Sequence, residues 1–341
     1  MIREYAELGF PFTIREIRSL AYEYADEHDL EDFSEEKEMA GRKWWEKYKL
    51  RFPWIQNKTA QNLSVARAMG SNPISIGEWF DQYKDLLKKL GLEDKPGNIW
   101  NVDESGLEDL PHLKKAVGIK GQDLYHLVAG EKGKRSTVVL LVNGEGGHIP
   151  PMIIHKGKRF NPEWRQNKYP GIEVTNSEKG HINKELFMSV GQKLIWRLNV
   201  TKKLGENQLL LMDSHHAHKF NYNFMQMMKE YKVTVLAFPA HTTHLLQPLD
   251  KAPFKRLEDW WDVYLRKYNR EHGAKALPRT EFFSVFNNAY LKAITPNIIL
   301  AGYKQTGIYP VDPTKVPAYK MKPSQVTDKC KGFNRTVVRL L

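Results

Sequence analysis

Cysteine is almost missing: Cys330 is the single thiol among 341 residues. One thiol allows no disulfide within the chain and no thiolate cluster for zinc. Long apolar runs are missing as well. No stretch approaches the roughly 18 consecutive apolar residues that a membrane-spanning helix needs. The first ten residues, MIREYAELGF, carry charges where a secretory leader needs an apolar centre. There is no internal repeat and no low-complexity block. Acidic residues are in deficit, 40 against 52 Lys and Arg, which leaves a net charge of +12. The expectation is a soluble chain in a reducing compartment, nucleus or cytosol, with no membrane partner.

What is present is an ordinary globular mix, 41% hydrophobic and 27% charged, with enough length for a sizeable core. The positive excess attracts polyanions through long-range field and counterion release. Nucleic acid is the expected partner, because charge and aromatics occur together. Residues 1–71 read as short helices. Ile14, Ile17, Leu20, Ala21 and Tyr24 recur at helical spacing, and Thr13 followed by Glu16 predicts a capping box. A second helix is expected from about Lys37 to before Pro53, and a third from Thr59 or Gln61 to Gly70. Three short helices with short connections suit a helix-turn-helix unit. Asn72-Pro73 marks a break, and residues 72–97 read as a linker with a helix from Ile76 to Leu90, closed by Gly91.

From residue 98 the pattern changes. Ile99–Asp103, Ser136–Asn143, Ile149–His155, Gln208–Asp213 and Val233–Phe238 read as strands, the second and third forming a hairpin across Gly144–Gly147. Helices are expected over 183–198, 220–231, 250–268 and 281–295. The fold class is α/β: a ribonuclease-H-like mixed sheet with flanking helices over 98–312, preceded by the small all-α helix-turn-helix region. A basic tail of weak periodicity, 313–341, is expected to be poorly ordered.

Three carboxylates occupy places with chemical meaning. Asp103 lies in the first strand, Asp213 ends the fourth, and Asp250 begins the helix after the fifth. If the first and fourth strands are neighbours, Asp103 and Asp213 come together, and Asp250 closes the group. Clustered carboxylates repel one another, and a metal ion is the usual remedy. Hard oxygen ligands select Mg²⁺ or Mn²⁺, and two such ions suit phosphodiester chemistry. A lone Asp at a strand end is more often a cap or turn residue.

The surrounding residues resemble a known family. Asn101-Val-Asp-Glu-Ser-Gly106, Leu211-Met-Asp-Ser-His-His-Ala-His218 and Phe238-Pro-Ala-His-Thr-Thr-His-Leu-Leu-Gln-Pro-Leu-Asp250 are similar to the three aspartate motifs of pogo/Tigger-type transposases in the mariner superfamily. Asp213 and Asp250 are 37 positions apart, a gap typical of that family. Gly147-His-Ile-Pro-Pro151 and Gly302-Tyr-Lys-Gln-Thr-Gly-Ile-Tyr-Pro310 add to the likeness. The resemblance implies a DNA transposase that cuts and joins terminal inverted repeats, with Asp103, Asp213 and Asp250 holding two Mg²⁺ or Mn²⁺. It also implies a homodimer or larger multimer on paired DNA ends, in the nucleus, with joining at a TA step.

Ala40–Pro53 with Asn62–Arg67 resembles the second helix-turn-helix of the centromere protein B type. By that likeness Arg42, Lys43, Lys47, Lys49, Arg51, Lys58 and Arg67 are the DNA-binding candidates. The bland alternative is a three-helix bundle with a solvated basic face. The family carries a further helix-turn-helix upstream, so this region is expected to be an incomplete recognition unit.

His215, His216, His218, His241 and His244 crowd the second and third motifs. His215, His218 and His244 are candidates to support the site; the plain alternative is polar turn residues. None sits in the helical arrangement of a zinc hydrolase. Glu104 should face away from Asp103, Trp260 and Trp261 should anchor a helix, and Gly144–Gly147 is a turn, not a phosphate loop. Two functions stay open: an active metal-dependent transposase or endonuclease, favoured by the intact triad, and a domesticated sequence-specific DNA-binding protein without catalysis.

Overall fold

The computed structural model describes residues 1–30, 33, 37–60, 62–111, 116–125, 127, 133–213 and 222–324. It contains two compact units, Met1–Pro73 with the chain from Pro317, and Ile74–Val316.

In the first unit the helices are α1 (Ile2–Glu7), α2 (Ile14–Glu27), α3 (Arg42–Arg51) and α4 (Val65–Gly70). The capping box at α2 is reciprocal. Thr13 N donates to the Glu16 carboxylate (2.6 Å) and Glu16 N donates to Thr13 Oγ1 (3.2 Å). Helix α3 starts later than the sequence suggested, because Ala40 is spent on an extended exchange with α2: its N–H donates to Arg18 O (2.8 Å) and its carbonyl accepts from Arg18 Nε (2.6 Å). Helix α4 likewise starts only where the Ser64 hydroxyl accepts from Arg67 N (3.3 Å). Trp45 is buried, while Trp44 stacks on Tyr48 and Phe52 packs tilted against Tyr48, with centroids 4.8 Å apart at each step. A short helical turn, Ala318–Met321, follows Pro317, and Lys322 pairs with Glu7.

The second unit opens with α5 (Pro73–Leu90). Trp79, Phe80, Tyr83 and Leu87 are buried on one helical face, each worth about 1.5–3 kcal/mol in removed apolar area. The strands are β1 (Ile99–Glu108), β2 (Arg135–Asn143), β3 (His148–Lys156), β4 (Glu173–Ser177), β5 (Gln208–Met212) and β6 (Val233–Ala237), ordered β4-β3-β2-β1-β5-β6. Strand β2 is antiparallel to both neighbours and the other pairings are parallel. All strands but β2 therefore point the same way, the mixed sheet expected from the hairpin-plus-parallel pattern. Trp79 Nε1 donates to Ala237 O (2.9 Å), which fastens α5 to the end of β6.

One sheet face carries Trp100, Val102, Val139, Leu141, Leu210 and Met212 against α6 (Lys184–Val200) and α7 (Tyr222–Glu230). The opposite face meets the helices α8 (Thr243–Leu246), α9 (Pro248–Lys251), α10 (Pro253–Glu271), α11 (Phe282–Ala293) and α12 (Pro296–Thr306). The single helix expected over 250–268 is two, because Pro253 has no N–H to continue the ladder from α9. Trp261 is buried and its Nε1 donates to Glu108 O (2.7 Å), the anchoring role its sequence position suggested. Trp260 stacks on Tyr264.

Three features were not foreseen. Strand β1 continues past Asp103 to Glu108, paired with β2 throughout. Strand β4 is short and polar, which hides its pattern. Helix α12 ends on Gly307 at φ 70°, where an added Cβ would stand 2.0 Å from Asp312 O, so only glycine serves.

Candidate active site

The site is assembled by register. Asn101 of β1 pairs with Leu211 of the parallel strand β5. Two residues on, by the period-2 alternation of strands, Asp103 and Asp213 stand on the same face at neighbouring positions. Glu104 pairs instead with Val139, which lies in the core on the other face.

A buried carboxamide pair locks the third motif onto this frame. Asn101 Nδ2 donates to Leu211 O (3.1 Å) and to Gln247 Oε1 (2.8 Å). Its Oδ1 accepts from Leu249 N (3.2 Å), and Gln247 Nε2 donates to Val102 O (3.4 Å). Both side chains are fully buried. One hydrogen-bonded unit thus joins the strand of Asp103, the strand that delivers Asp213 and the helix that carries Asp250. Helix α12 backs it from behind: a Cβ on Gly302 would sit 2.4 Å from Pro248 O. Tyr303 OH, the next residue, donates toward Ile99 O and Val142 O (both 3.0 Å).

The electrostatics follow from that placement. Asp103 is buried, Asp213 half-buried and Asp250 exposed. Burial is the largest cause pushing the Asp103 carboxyl well above the usual carboxylate range. The Asp250 charge adds to this and the Asp213 charge adds less, while hydrogen bonds from Gln247 and the Glu104 N–H oppose it. The three aspartates therefore share one field. Among the described residues no three acidic, His or Cys side chains are already gathered around a metal position.

His241 is exposed and lies in the left-handed region at φ 64°. His244 is half-buried in α8, and its carbonyl accepts from Lys251 Nζ (2.5 Å). His215, His216 and His218 lie outside the described residues. In the first unit Arg42, Lys43, Lys47, Arg51, Lys58 and Arg67 are exposed and Lys49 is half-buried. Lys49 and Arg51 lie over Trp45 (5.9 Å) and Tyr48 (5.8 Å). Sequence reasoning missed Asn101, Gln247 and Gly302. The available signal was a carboxamide two or three residues before an aspartate, inside apolar surroundings.

Residues 133–303, from the approach to β2 into α12, match a family model described as DDE superfamily endonuclease. The chain belongs to that family. As a DDE superfamily member it holds Asp213 and Asp250 inside the matched range and Asp103 before it. The fold agrees with solved mariner structures. A pre-cleavage Mos1 transpososome superposes with a TM-score of 0.52 at 14% identity, over 94% of this chain and 81% of that one. A mariner Mos1 paired end complex with Mg gives 0.50 at 13%, over 90% and 78%. The agreement extends to the ribonuclease-H-like sheet and the helical N-terminal region.

Curated relatives are more distant in organisation. A Cochliobolus lunatus protein named MFS-type transporter clz9 is 26% identical over 253 residues, 72% of this chain and 26% of that protein. Chaetoglobosin A biosynthesis cluster protein C of Chaetomium globosum is 27% identical over 99 residues, 29% of this chain and 22% of that protein. The chain thus spans about a quarter of the length of these relatives. Among its described residues no helix is long and apolar enough to cross a membrane.

Proposed function

We propose that this DDE superfamily member is a divalent-metal-dependent DNA transposase, cutting and joining phosphodiesters at element ends. The observation that carries the reading is the shared field of Asp103, Asp213 and Asp250 on one sheet face. Burial and two neighbouring carboxylates push the Asp103 carboxyl upward, and a cation beside it would favour the anion, so the residues fit a metal. Asp103, Asp213 and Asp250 would hold Mg²⁺ or Mn²⁺, hard ions suited to oxygen ligands. Two such ions, when bound, activate a water or 3′-hydroxyl and stabilise the leaving oxygen.

The chain's own residues do the positioning. Asn101 and Gln247 fix the separation of the three carboxylates before any ligand arrives. Asp103 is shielded from bulk water, which strengthens its interaction with charge at the site. The exposed cations Arg42, Lys43, Lys47, Arg51, Lys58 and Arg67, with Lys49, engage DNA phosphates, as their exposure and family likeness support. Action on paired ends as a dimer or larger assembly, in the nucleus, belongs to the same reading; the mariner Mos1 structures are described as paired end complexes.

The test is nicking of a supercoiled plasmid with Mg²⁺ or Mn²⁺, comparing wild type with Asp213→Ala. Nicking by the wild type alone supports the reading. A folded wild type that binds DNA and never nicks it overturns the catalytic assignment and leaves a DNA-binding protein.

A further inference from the structure

We propose that the β3–β4 connection, residues 156–168, is a second DNA-backbone contact, a braced basic loop on the same unit as the carboxylates. This rests on the reading that the chain acts on DNA.

The loop, Lys156-Gly-Lys-Arg-Phe-Asn-Pro-Glu-Trp-Arg-Gln-Asn-Lys168, holds five cations and one acid. Lys156, Lys158, Arg159 and Arg165 are exposed. Lys158 has only a solvent-exposed pairing with Glu178 (3.8 Å), worth little in water. Among the described residues Lys156, Arg159 and Arg165 have no acidic partner within 4.0 Å. A charge run is ordinarily a solvated surface, and such a surface needs no internal bracing. This loop has bracing at three levels.

At its root, Gly157 N donates to Ser177 O (2.9 Å) and Asn176 Nδ2 donates to Gly157 O (2.6 Å). At its far end, Asn287 Nδ2 donates to Asn167 O (2.7 Å) and Asn287 Oδ1 accepts from Tyr169 N (3.2 Å). Between them runs an aromatic ladder. Phe282 packs edge-on to buried His155 (5.1 Å), His155 to Trp164 (5.3 Å) and Trp164 to Phe160 (5.7 Å). Two guanidiniums lie on its rings, Arg279 over Trp164 (4.9 Å) and Arg165 over Phe160 (4.5 Å). The loop backbone that carries the cations is therefore held in place, and little loop entropy remains to be lost when phosphates bind.

The loop also leaves the right end of the sheet. Strands β1 and β3 are both antiparallel to β2, so they run together, and β3 ends where β1 ends. Ser136 pairs with Leu107 on one side and His155 on the other, which places His155 on the face of Asp103. Four residues along and two strands across give a separation of roughly 16 Å from Asp103 to the loop root. That is about half a turn of duplex DNA. A duplex whose phosphate lies at the aspartates passes the loop with its adjoining backbone.

The experiment is fluorescence anisotropy of the full chain on a random-sequence duplex across a salt titration. Wild type is compared with Lys156→Gln/Lys158→Gln/Arg159→Gln/Arg165→Gln and with the milder Lys158→Gln/Arg159→Gln, which leaves the aromatic ladder untouched. Each phosphate contact contributes a slope of about 0.9 in log K against log salt. The quadruple variant should lose about 3.6 in slope and bind at least ~10-fold more weakly near 0.1 M salt, and the double variant should lose about 1.8. Unchanged slope and affinity in both variants overturn the proposal, as does a wild type that binds no duplex. Plasmid nicking is read in parallel: a chain that binds through the loop yet never nicks keeps this proposal and loses the catalytic reading.

Discussion

Replacing Asn101 with Leu should separate the assembly of the site from its chemistry. The side chain is nearly isosteric, so little cavity forms and the change is confined to hydrogen bonding. Three bonds disappear, to Leu211 O, Gln247 Oε1 and Leu249 N. All three partners lie in fully buried surroundings. A buried polar group stripped of its partner costs about 1–3 kcal/mol; at about 1–2 kcal/mol for each of the three, a loss of roughly 3–6 kcal/mol is expected. That is a large part of the about 5–15 kcal/mol of a typical domain, and the protein should still fold. With a urea slope of about 3 kcal/mol/M, the unfolding midpoint falls by roughly 1–2 M. Metal-dependent nicking, measured well below that midpoint, should drop at least ~10-fold, because a misplacement of about 1 Å is enough for such a loss. Asn101→Asp, which keeps the acceptor toward Leu249 N but adds a carboxylate two residues from Asp103, should be at least as damaging. A midpoint within about 0.3 M of wild type, with full nicking, would refute the reasoning that this carboxamide ties the motifs together.

Gly302→Ala forces a Cβ into Pro248 O; nicking should fall at least ~10-fold with a stability loss of about 1–3 kcal/mol. The control Gly77→Ala, in open space on α5, should instead stabilise by about 0.5–1 kcal/mol. His155 is fully buried, and burial holds its imidazole down to about 3, with Arg279 adding to the effect. It stays neutral in the fold while an unfolded histidine charges below about 6.5. Stability it supports is complete above that pH and is lost as pH falls toward about 3, at up to ~1.4 kcal/mol per unit. Urea midpoints at pH 7 and 5 should therefore fall more steeply for wild type than for His155→Gln, and parallel declines would contradict the assignment. Mn²⁺ at about 100 times its Kd should stabilise the wild type by roughly 2.7 kcal/mol, read as a rise in Tm that Asp213→Ala abolishes.

The sheet was largely legible because strands of β-branched and leucine residues, Thr137–Val142 and Gln208–Met212, read as nothing else. The neighbouring of the Asp103 and Asp213 strands followed from topology. Boundaries failed where a single long-range bond decided them, as with Ala40 held by Arg18 and the break at Pro253. Strand β4 escaped because Glu-Val-Thr-Asn-Ser has no apolar alternation, and it exists only by pairing with β3. The aspartates were visible from their motifs, but the Asn101–Gln247 link was not, since it joins residues 146 apart in the chain. A hydrogen bond of that span has no local signature.

The dependence of the Asp250 helix on Gly302 and Tyr303 bears on how copies of such a gene decay. Helix α12 contributes none of the three aspartates, yet it supports the short helix that carries the last of them and ties it back to β1 and β2. A frameshift or stop codon anywhere after about residue 295 would leave Asp103, Asp213 and Asp250 all encoded and the third without its footing. On the transposase reading proposed above, intact acidic triads overcount working copies, and an open reading frame through Gly302-Tyr303 is the stricter criterion of survival.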